Sequence, residues 1–264
     1  MSLLQATGLG LGPGASYLVR DLDLCIEAGQ CWVVLGRNGA GKSSLLRALA
    51  GLTAPRAGTV MLGNTAVNRL PPRERARRVG LVFQHSDPGF HSTTLQMALS
   101  GGYPHRSGWG WETEAELAAA AEALQAVGLR EQADRPLESL SGGELRRAEI
   151  ARLLLQQPRL AMLDEPLNHL DIGQQIAILQ LLLRRCRNAN RALLLVLHDL
   201  NLARQVASHA LLLYGDGRWQ AGDAQTLTSA ATLTRLLGYP LQEFDTPGGR
   251  QLGIDFHAAG LVGE

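Results

Sequence analysis

The sequence predicts an α/β fold, and three observations support this prediction. Short apolar runs of strand length alternate with stretches of helical character over most of the chain. A glycine-rich loop at residues 36–43 stands between an apolar run and a helical stretch. A mostly helical segment at residues 85–157 interrupts the alternation, so two strand-rich parts lie on either side of it.

The composition is that of an ordinary globular protein. Hydrophobic residues fill 45% of the 264 positions, charged residues fill 19%, and the formal net charge is +1. This balance gives no polybasic reason to expect nucleic acid as a partner. Cys25, Cys31 and Cys186 form no CxxC pair, which favours free thiols in a reducing compartment. No apolar run reaches the ~18–20 residues that span a bilayer, and the first residues lack the pattern of a signal peptide.

The first strand-rich part begins with two different strand patterns. Residues 21–27 alternate polar and apolar side chains, which is typical of a half-buried strand. Residues 31–35 are uniformly apolar, which is typical of a strand covered on both faces. The remaining elements predicted for this part are a helix at 43–50, a strand at 59–62, a basic helix at 73–78 and a strand at 79–83.

Helices dominate the middle segment, and the strand–helix alternation returns after Pro158. The predicted helices of the segment lie near 94–99, at 112–127 and from residue 141 or 142 to about 156. The last part is predicted to contain strands at 160–163, 192–197 and 210–214, and helices at 172–187 and 200–208. Gly215-Asp216-Gly217 predicts a hairpin turn into a strand at 218–221. The tail is expected to hold two short helices and a second hairpin around 247–249.

The loop Gly36-Arg37-Asn38-Gly39-Ala40-Gly41-Lys42-Ser43 matches the pattern of a phosphate-binding loop. It follows an apolar strand and opens a helix, and this context argues against a chance match. The glycines let backbone N–H groups converge on phosphate oxygens, and the helix N-terminus adds partial positive charge. We therefore expect Lys42 to reach the β- and γ-phosphates of a nucleotide and the Ser43 hydroxyl to ligate Mg²⁺.

Two carboxylates, Asp164 and Glu165, end a later strand. Their side chains are expected to emerge at the carboxyl edge of the sheet, beside the glycine loop. There Asp164 can hold Mg²⁺, directly or through water, and Glu165 can polarise the attacking water as a general base. Such a pair on its own is as often a helix cap and a surface charge, but the glycine loop favours the catalytic interpretation.

A second anion site is predicted at Ser141-Gly142-Gly143. These residues open a helix without side-chain bulk, and a helix N-terminus of this kind attracts phosphate. The glycine loop already cradles the phosphates of one nucleotide, so the second site is not expected to serve the same molecule. The alternative is a capping serine followed by a Gly-Gly turn.

These motifs, in this order, resemble the ATPase subunits of ABC transporters over nearly the whole chain. The glycine loop comes first, Leu140-Ser141-Gly142-Gly143-Glu144 second, Asp164-Glu165 third, and His198 follows a further apolar strand. The resemblance implies a P-loop NTPase with a RecA-like core, an antiparallel β lobe and an α-helical subdomain. It implies one domain over 1–264, with the core and β lobe at 1–84 and 158–240, the helical subdomain at 85–157 and a C-terminal extension at 241–264.

The resemblance also assigns roles that the residues alone leave open. It places His198 and Gln84 beside Glu165 as catalytic residues, although a strand-end histidine is by itself usually structural and a glutamine there carries no meaning. It places Gln84 with Ser43 and Asp164 at Mg²⁺. The expected ATP-binding residues are Tyr17, Gly36, Asn38, Gly39, Ala40, Gly41, Lys42, Ser43, Ser44, Ser141, Gly142, Gly143 and Asp171.

Tyr17 is the residue expected to stack on adenine, and a half-buried tyrosine in a β-hairpin is the alternative. Asp171 belongs to Asn168-His169-Leu170-Asp171, which matches the loop that crosses the dimer interface in the family. Three positions depart from the usual pattern: Arg37 replaces proline, Ser44 replaces threonine and Glu144 replaces glutamine. None of them removes a donor that the mechanism needs.

Short matches favour the importer branch that handles iron chelates, heme and vitamin B12. Gly101-Gly102-Tyr103-Pro104-His105 is similar to a Gly-Arg-Tyr-Pro-His motif of that branch, with Gly102 in place of arginine. Gln174-Gln175 is nearer the vitamin B12 type than the siderophore type, and residues 237–245 are also similar to that branch. His85, His91 and His105 are irregularly spaced, so we expect surface histidines there and no metal site.

The expected function is ATP hydrolysis that energises an importer, for cobalamin or for a ferric chelate such as a siderophore complex or heme. The resemblance implies a head-to-tail homodimer, peripheral on the cytoplasmic face of the bacterial inner membrane. Its partners would be permease subunits and, through them, a substrate-binding protein, with no nucleic acid. Residues 85–111, with Tyr103 and Trp109, are expected to receive a cytoplasmic helix of the permease.

Other functions remain open. An importer of another substrate class would share every motif. A soluble ABC-type ATPase that acts on nucleic acid would be expected to carry a basic face, a coiled-coil insertion or two ATPase domains in tandem. A nucleotide sensor would be expected to lack Glu165 or His198, and both are present.

Overall fold

The computed structural model describes residues 2–14, 16–84, 92–106, 108, 110–187, 190–247, 249–255 and 258. In chain order the strands are β1 (Ser2–Leu11), β2 (Val19–Glu27), β3 (Cys31–Gly36), β4 (Ala57–Leu62), β5 (Thr65–Ala66), β6 (Val79–Val82), β7 (Leu160–Asp164), β8 (Ala192–Val196), β9 (His209–Leu213), β10 (Trp219–Asp223), β11 (Leu241–Thr246) and β12 (Gly249–Ile254). The helices are α1 (Lys42–Leu49), α2 (Pro72–Arg78), α3 (Thr94–Ser100), α4 (Glu114–Ala126), α5 (Gly142–Gln156), α6 (Ile172–Arg187), α7 (Leu200–Val206), α8 (Ala224–Leu227) and α9 (Ala230–Leu237). The predicted α/β class is confirmed.

The central sheet has the strand order β10-β9-β3-β8-β7-β6, in which β10 is antiparallel and the other strands are parallel. β3 lies between β9 and β8, and β8 pairs with β7. The carboxyl ends of β3, β8 and β7 therefore meet at one edge of the sheet. In open α/β sheets this edge is where ligands bind.

The uniform apolarity of β3 follows from its position between two cores. Val33 and Leu35 belong to a core that the central sheet shares with the helical segment. Trp32 and Val34 point to the opposite face and belong to a core that the sheet shares with α1 and the antiparallel sheet. Since successive side chains of a strand alternate between faces, a strand with a core on each side has no polar positions.

A second, antiparallel sheet has the strand order β2-β1-β4-β5. β1 lies in the interior of this sheet, between β2 and β4, although its sequence carries no strand pattern from which it was predicted. Its pairing with β2 shifts register between Ala6 and Leu9 and again between Leu9 and Leu11. These irregularities break the two-residue period on which strand prediction depends.

The helical segment packs α3, α4 and α5 around small and branched side chains. Ala98, Leu124 and Ile150 are fully buried there and join the core of the adjacent sheet face. Among the residues that the structure describes, no helix is long and apolar enough to cross a membrane. The three cysteines are free thiols, as predicted, with Cys31 and Cys186 buried and Cys25 exposed.

The last two strands that the structure describes, β11 and β12, form a hairpin, which agrees with the turn predicted around 247–249. Asn201 ties this hairpin to α7, because its side chain donates to the carbonyl oxygen of Leu252 at 3.0 Å and accepts from the Leu252 amide at 2.7 Å. The hairpin is therefore fixed close to the strand–helix connection that carries His198.

Candidate functional site

The glycine loop joins the end of β3 to the start of α1. Gly36 closes the strand, and a Cβ at this position would lie 2.5 Å from the carbonyl oxygen of Leu213, so no larger residue fits. Gly41 precedes the helix with φ of 95°, in the left-handed region that favours glycine. A loop of this shape, in front of a helix N-terminus, presents backbone N–H groups and the positive end of the helix dipole to an anion.

Lys42 is the only lysine in the chain, and it is buried inside the glycine loop. Its ammonium donates to the carbonyl oxygens of Gly36 at 2.9 Å and Arg37 at 3.1 Å. Burial lowers the pKa of this amine, while the nearby carboxylates of Glu165 and Asp164 oppose the shift. The loop is thus closed around a single amine that lies within the field of both strand-end carboxylates.

Asp164 is almost completely buried at the end of β7. Its Oδ1 atom has no hydrogen-bond partner among the residues that the structure describes. A buried carboxylate oxygen without a donor is costly unless a cation or water satisfies it. Together with the half-buried Ser43 at the start of α1, this donor set of carboxylate and hydroxyl oxygens suits a hard divalent cation such as Mg²⁺.

Glu165 follows Asp164, and three side chains donate hydrogen bonds to its carboxylate. Oε1 accepts from His198 Nε2 at 2.5 Å. Oε2 accepts from Gln84 Nε2 at 2.7 Å and from Asn168 Nδ2 at 2.6 Å. The carboxylate is buried, whereas the His198 side chain is 49% exposed, so the histidine connects the glutamate to the open side of the site.

Arg146 fixes the backbone behind the two carboxylates. This buried residue of α5 donates to the carbonyl oxygens of Phe83, Asp164 and Glu165, the last at 2.8 Å. It also forms a buried ion pair with Glu149 at 2.9 Å, one helical turn away. One guanidinium therefore connects α5 to the ends of β6 and β7, from which Gln84, Asp164 and Glu165 extend.

The contribution of Arg146 and Asn168 to this geometry was not predicted from the sequence. Arg146 and Glu149 stand three residues apart in a predicted helix, which is the spacing of an ion pair, so part of the signal was present. For Asn168 no signal was present. Its contact with Glu165 depends on a backbone turn that the residue types do not reveal.

Tyr17 lies in the connection from β1 to β2, next to the glycine loop. Its neighbour Leu18 packs on Gly41, where a Cβ would lie 3.1 Å from the leucine. The ring of Tyr17 rests against Gly10, and the Arg56 guanidinium lies 4.3 Å from the ring centroid. The Arg20 guanidinium also lies over this ring, 5.6 Å from its centroid, so adenine stacking, which stays a prediction, has to compete with these two arginines.

Ser141 forms a capping box at the start of α5. Its hydroxyl accepts from the Glu144 amide at 3.3 Å, and the Glu144 carboxylate accepts from both the amide and the hydroxyl of Ser141, at 2.8 and 2.9 Å. These bonds from Ser141 lower the pKa of the Glu144 carboxyl. In the single chain Ser141 is therefore a capping serine, which was the alternative to an anion site. A phosphate that binds at this helix end would have to displace the Glu144 side chain.

The loop before α5 also touches the segment that follows Glu165. A Cβ on Gly143 would lie 2.6 Å from the carbonyl oxygen of His169, whereas a Cβ on Gly142 would meet the His169 ring at an ordinary 3.5 Å. Asp171 lies further along, where its Oδ1 accepts from the Gln174 amide at 2.8 Å and caps α6. Gly142 and Gly143 thus contact His169, two residues before Asp171, while the Asp171 side chain bonds within its own helix end.

The structure brings one set of predicted residues together. This set surrounds the carboxyl edge of the sheet and consists of Gln84, Gly36, Lys42, Asp164, Glu165 and His198. Asn38, Gly39, Ala40, Ser43 and Ser44 lie on the same loop and in the first turn of α1. An open cleft of about 420 Å³ adjoins this set and is lined by residues 35–38, by Leu197, His198 and Leu200, and by Leu237 and Tyr239.

The predicted histidine region is only partly described. His85, His91 and Trp109 lie outside the described residues. His105 is exposed, as expected for a surface histidine, and its Nε2 lies 2.8 Å from the carbonyl oxygen of Gln156. Within the described part of the chain, no group of three or more His, Cys, Asp or Glu residues is arranged to hold a metal ion.

Comparison with known proteins agrees with this geometry. Residues 19–168 match the family model described as ABC transporter. The chain is 39% identical over 225 residues to the probable siderophore transport system ATP-binding protein YusV of Bacillus subtilis, covering 83% of this chain and 81% of the relative. It is 38% identical over 253 residues to the hemin import ATP-binding protein HmuV of Myxococcus xanthus, covering 93% of each.

A solved structure with the same fold is described as an inward-facing conformation of a putative metal-chelate type ABC transporter. The chain superposes on it with a TM-score of 0.80 at 26% identity, over 96% of both chains. The similarity therefore includes the helical segment and the C-terminal hairpin as well as the glycine loop.

Proposed function

The chain belongs to the ATP-binding subunits of ABC transporters, and from this premise we propose that it energises the import of a ferric chelate or cobalamin. Proteins of this family hydrolyse ATP to drive transport, work with permease subunits and dimerise as cassettes. The observation that carries the proposal is the Glu165 carboxylate held between His198 and Gln84, beside the only lysine of the chain.

The proposed cargo rests on similarity and on short sequence motifs. The relatives described above carry names that refer to siderophore and hemin import. Gln174-Gln175 and the segment at 101–105 favour the branch that also includes vitamin B12 importers. These cargos are large chelates that need not touch this chain, so its own residues do not select among them.

The catalytic cycle follows from the residues at the sheet edge. The glycine loop and Lys42 bind the β- and γ-phosphates of ATP, with Lys42 exchanging its bonds to loop carbonyls for bonds to phosphate. Glu165 accepts a proton from the attacking water as that water approaches the γ-phosphate. His198 orients Glu165 and donates towards the γ-phosphate, and Gln84 holds the second carboxylate oxygen. Mg²⁺ would supply charge neutralisation between the phosphates, and Ser43, Asp164 and Gln84 would hold it.

A head-to-tail homodimer completes each site. The helix end at Ser141–Gly143, whose glycines contact His169, suits the phosphates bound by a partner subunit. Two such chains, related by a twofold axis, would enclose two ATP molecules. Because closed and open dimers differ in their affinity for ATP and ADP, hydrolysis can drive a change of shape.

The subunit would lie peripherally on the cytoplasmic face of the bacterial inner membrane, docked on its permease. Tyr103, which is 51% exposed, and the fully exposed Trp111 lie on the helical segment close after Gln84. Exposed aromatic side chains next to a catalytic loop suit a protein interface. We propose that this surface binds the cytoplasmic helix of the permease. The permease in turn receives its cargo from a substrate-binding protein.

Reconstitution tests the proposed function. The subunit would be placed in liposomes with a permease of the iron-chelate and cobalamin importer branch. It would be supplied with ATP and with labelled cobalamin, ferric hydroxamate or hemin on the binding protein of that permease. We expect ATP-dependent accumulation of one of these cargos, abolished by Glu165→Gln. Accumulation of none of them, with ATPase activity intact, would overturn the cargo, and stimulation by nucleic acid in place of the permease would favour the alternative class.

A further inference from the structure

A cleft of about 450 Å³ lies at the amino edge of the central sheet, opposite the edge that carries the glycine loop. Arg78 immediately precedes β6 and Arg159 immediately precedes β7, and the first residues of these parallel strands pair with each other. The two arginines therefore enter the sheet side by side. We call this space the arginine cleft, and its lining residues are Ser2, Leu3, Gly63, Asn64, Thr65, Glu74, Arg77, Arg78 and Arg159.

Positive charge in the arginine cleft exceeds negative charge. The carboxylate that lines it, Glu74, forms an ion pair with Arg78, one helical turn away in α2. Arg78 also donates to the carbonyl oxygen of Leu62 at 2.7 Å, so this pair is engaged within the protein. Arg77 and Arg159 are exposed, and neither forms an ion pair with a carboxylate of the described residues. Two like charges that face one cleft repel each other, and a bound anion would relieve this repulsion.

These two arginines keep most of their donors for a ligand. Among the described residues, the side chain of Arg77 makes a single hydrogen bond, from Nε to the carbonyl oxygen of Pro104 at 2.6 Å, so both of its NH₂ groups remain. The side chains of Arg159, Asn64 and Thr65 make no hydrogen bond in that part of the chain. Guanidinium groups combined with neutral N–H and O–H donors are the contacts that proteins use for phosphate oxygens.

We propose that the arginine cleft binds a phosphate-bearing anion, with Arg77 and Arg159 as charged contacts and Asn64 and Thr65 as neutral donors. A carboxylate ligand would engage one guanidinium, whereas the three oxygens of a terminal phosphate can accept from both. The phosphate belongs either to a compound free in solution or to the headgroup of an anionic lipid. Because the cleft and the glycine loop lie at opposite edges of the sheet, this anion is not the ATP that is hydrolysed.

Arg73 provides a matched control for Arg77. It lies one helical turn earlier in α2, is exposed like Arg77, and donates to the same carbonyl oxygen of Pro104 at 3.0 Å. It does not line the cleft. Arg73→Gln therefore removes the same charge and the same bond to Pro104 as Arg77→Gln, without removing a contact to the proposed ligand.

Titration with inorganic phosphate, followed by nuclear magnetic resonance, tests the soluble source. A non-hydrolysable ATP analogue fills the glycine loop beforehand, so that added phosphate does not bind there. The Nε–H signals of Arg73, Arg77 and Arg159 are identified by their loss in the three Arg→Gln variants. We expect phosphate to shift the signals of Arg77 and Arg159 and not that of Arg73. Arg77→Gln should weaken the binding reported by Arg159 about tenfold or more, because a charge-assisted hydrogen bond is lost.

Sedimentation with lipid vesicles tests the membrane source. If the phosphate belongs to a lipid, vesicles of phosphatidylcholine that contain phosphatidylglycerol will bind the wild type, and vesicles of phosphatidylcholine alone will not. Arg77→Gln and Arg159→Gln should then lose this binding, whereas Arg73→Gln should keep it. Melting temperatures of the three variants confirm that each of them is folded.

A positive result in either experiment supports the phosphate site and identifies the source of the phosphate. Absence of phosphate-induced shifts at Arg77 and Arg159, together with absence of binding to the anionic vesicles, would overturn the proposal. Binding that persists in Arg77→Gln and Arg159→Gln, or that falls equally in Arg73→Gln, would also overturn it, since the anion would then respond to general surface charge. None of these measurements depends on ATP hydrolysis, so failure of the proposed transport function would not affect them.

Discussion

His198 Nε2 lies 2.5 Å from Glu165 Oε1, so side chains that follow two adjacent strands form one hydrogen-bonded unit. The Glu165 amide also donates to the carbonyl oxygen of Val196 at 3.2 Å, which extends the ladder between β7 and β8 by one residue. The two side chains are therefore held in register by the sheet itself. A base and its orienting group placed on rigid elements keep their geometry through repeated turnover.

Glu165→Gln should keep ATP binding and abolish turnover. The amide preserves the shape of the side chain but cannot accept the proton, and loss of a general base costs about 10²–10⁴-fold in rate. Without hydrolysis the closed dimer should accumulate, so the variant should elute as an ATP-dependent dimer in gel filtration. Glu122→Gln, on the exposed side of α4, is the matched control. Wild-type turnover in Glu165→Gln would remove the glutamate from this role.

Lys42→Ala should weaken the binding of ATP itself. A charge-assisted hydrogen bond to phosphate contributes about 1.5–3 kcal/mol, which corresponds to a loss of affinity of about tenfold or more. Titration with a fluorescent ATP analogue measures this change. Lys42→Arg, which keeps the charge but not the compact ammonium, separates charge from shape. Unchanged affinity in Lys42→Ala would show that phosphates bind elsewhere.

Mixed dimers test the composite site. A Lys42→Ala chain paired with a Ser141→Arg chain places both defects in one head-to-tail site and leaves the other site intact. We expect ATPase activity above that of either mutant homodimer, provided that one intact site can hydrolyse alone. A mechanism confined to one chain predicts no intact site in this pairing, so activity no higher than the homodimers would contradict the trans arrangement.

Arg146→Met should destabilise the fold strongly. The substitution leaves Glu149 as an unpaired buried charge and removes donors from the carbonyls of Phe83, Asp164 and Glu165. Removing one partner of a buried ion pair costs about 3–5 kcal/mol in the free energy of unfolding. Denaturant unfolding measures it, and Arg130→Met, whose guanidinium donates to the exposed Gln125, is the control. A loss below about 1 kcal/mol would be typical of a surface pair.

Tyr103→Ala combined with Trp109→Ala should separate transport from hydrolysis. Neither residue is among the predicted catalytic residues, so basal ATPase and melting temperature of the isolated subunit should stay close to wild type. Uptake with the coexpressed permease should fall. If these aromatics instead pack the helical segment, melting temperature and basal activity will fall together, and normal uptake with a normal melt would exclude the interface.

Much of the fold could be predicted because its strands and helices carry strong periodic signals. The helix predicted at 172–187 matches α6, and the uniformly apolar run at 31–35 falls within β3. β1 could not be predicted, since Gly8 and Gly10 interrupt its apolar positions and its register shifts three times against β2. Its place in the sheet is decided by long-range pairing with β2 and β4, which a local pattern does not contain.

The candidate site could likewise be predicted from the sequence only in part. Strand-end positions predicted that Asp164, Glu165 and His198 would lie near the glycine loop, because the ends of parallel strands meet at one edge. The bond from Asn168 to Glu165 depends on two positive φ angles, and the bonds of Arg146 depend on how α5 crosses the ends of β6 and β7. The residue types determine which functional groups are present at the site. The conformation of short turns determines which of these groups form hydrogen bonds with one another.

Because Lys42 is the only lysine in the chain, it is also a selective target for chemical modification. Apart from the amino terminus it carries one primary amine, in the loop proposed to bind phosphates, and burial lowers the pKa of that amine. A lower pKa leaves a larger neutral, nucleophilic fraction than an ordinary lysine has. An acylating reagent would therefore mark each subunit at Lys42 and at the amino terminus, so intact-mass spectrometry could count the subunits in which Lys42 is unprotected. By the same logic, a single adventitious acetylation would silence the subunit, because no surface lysine competes for the reagent.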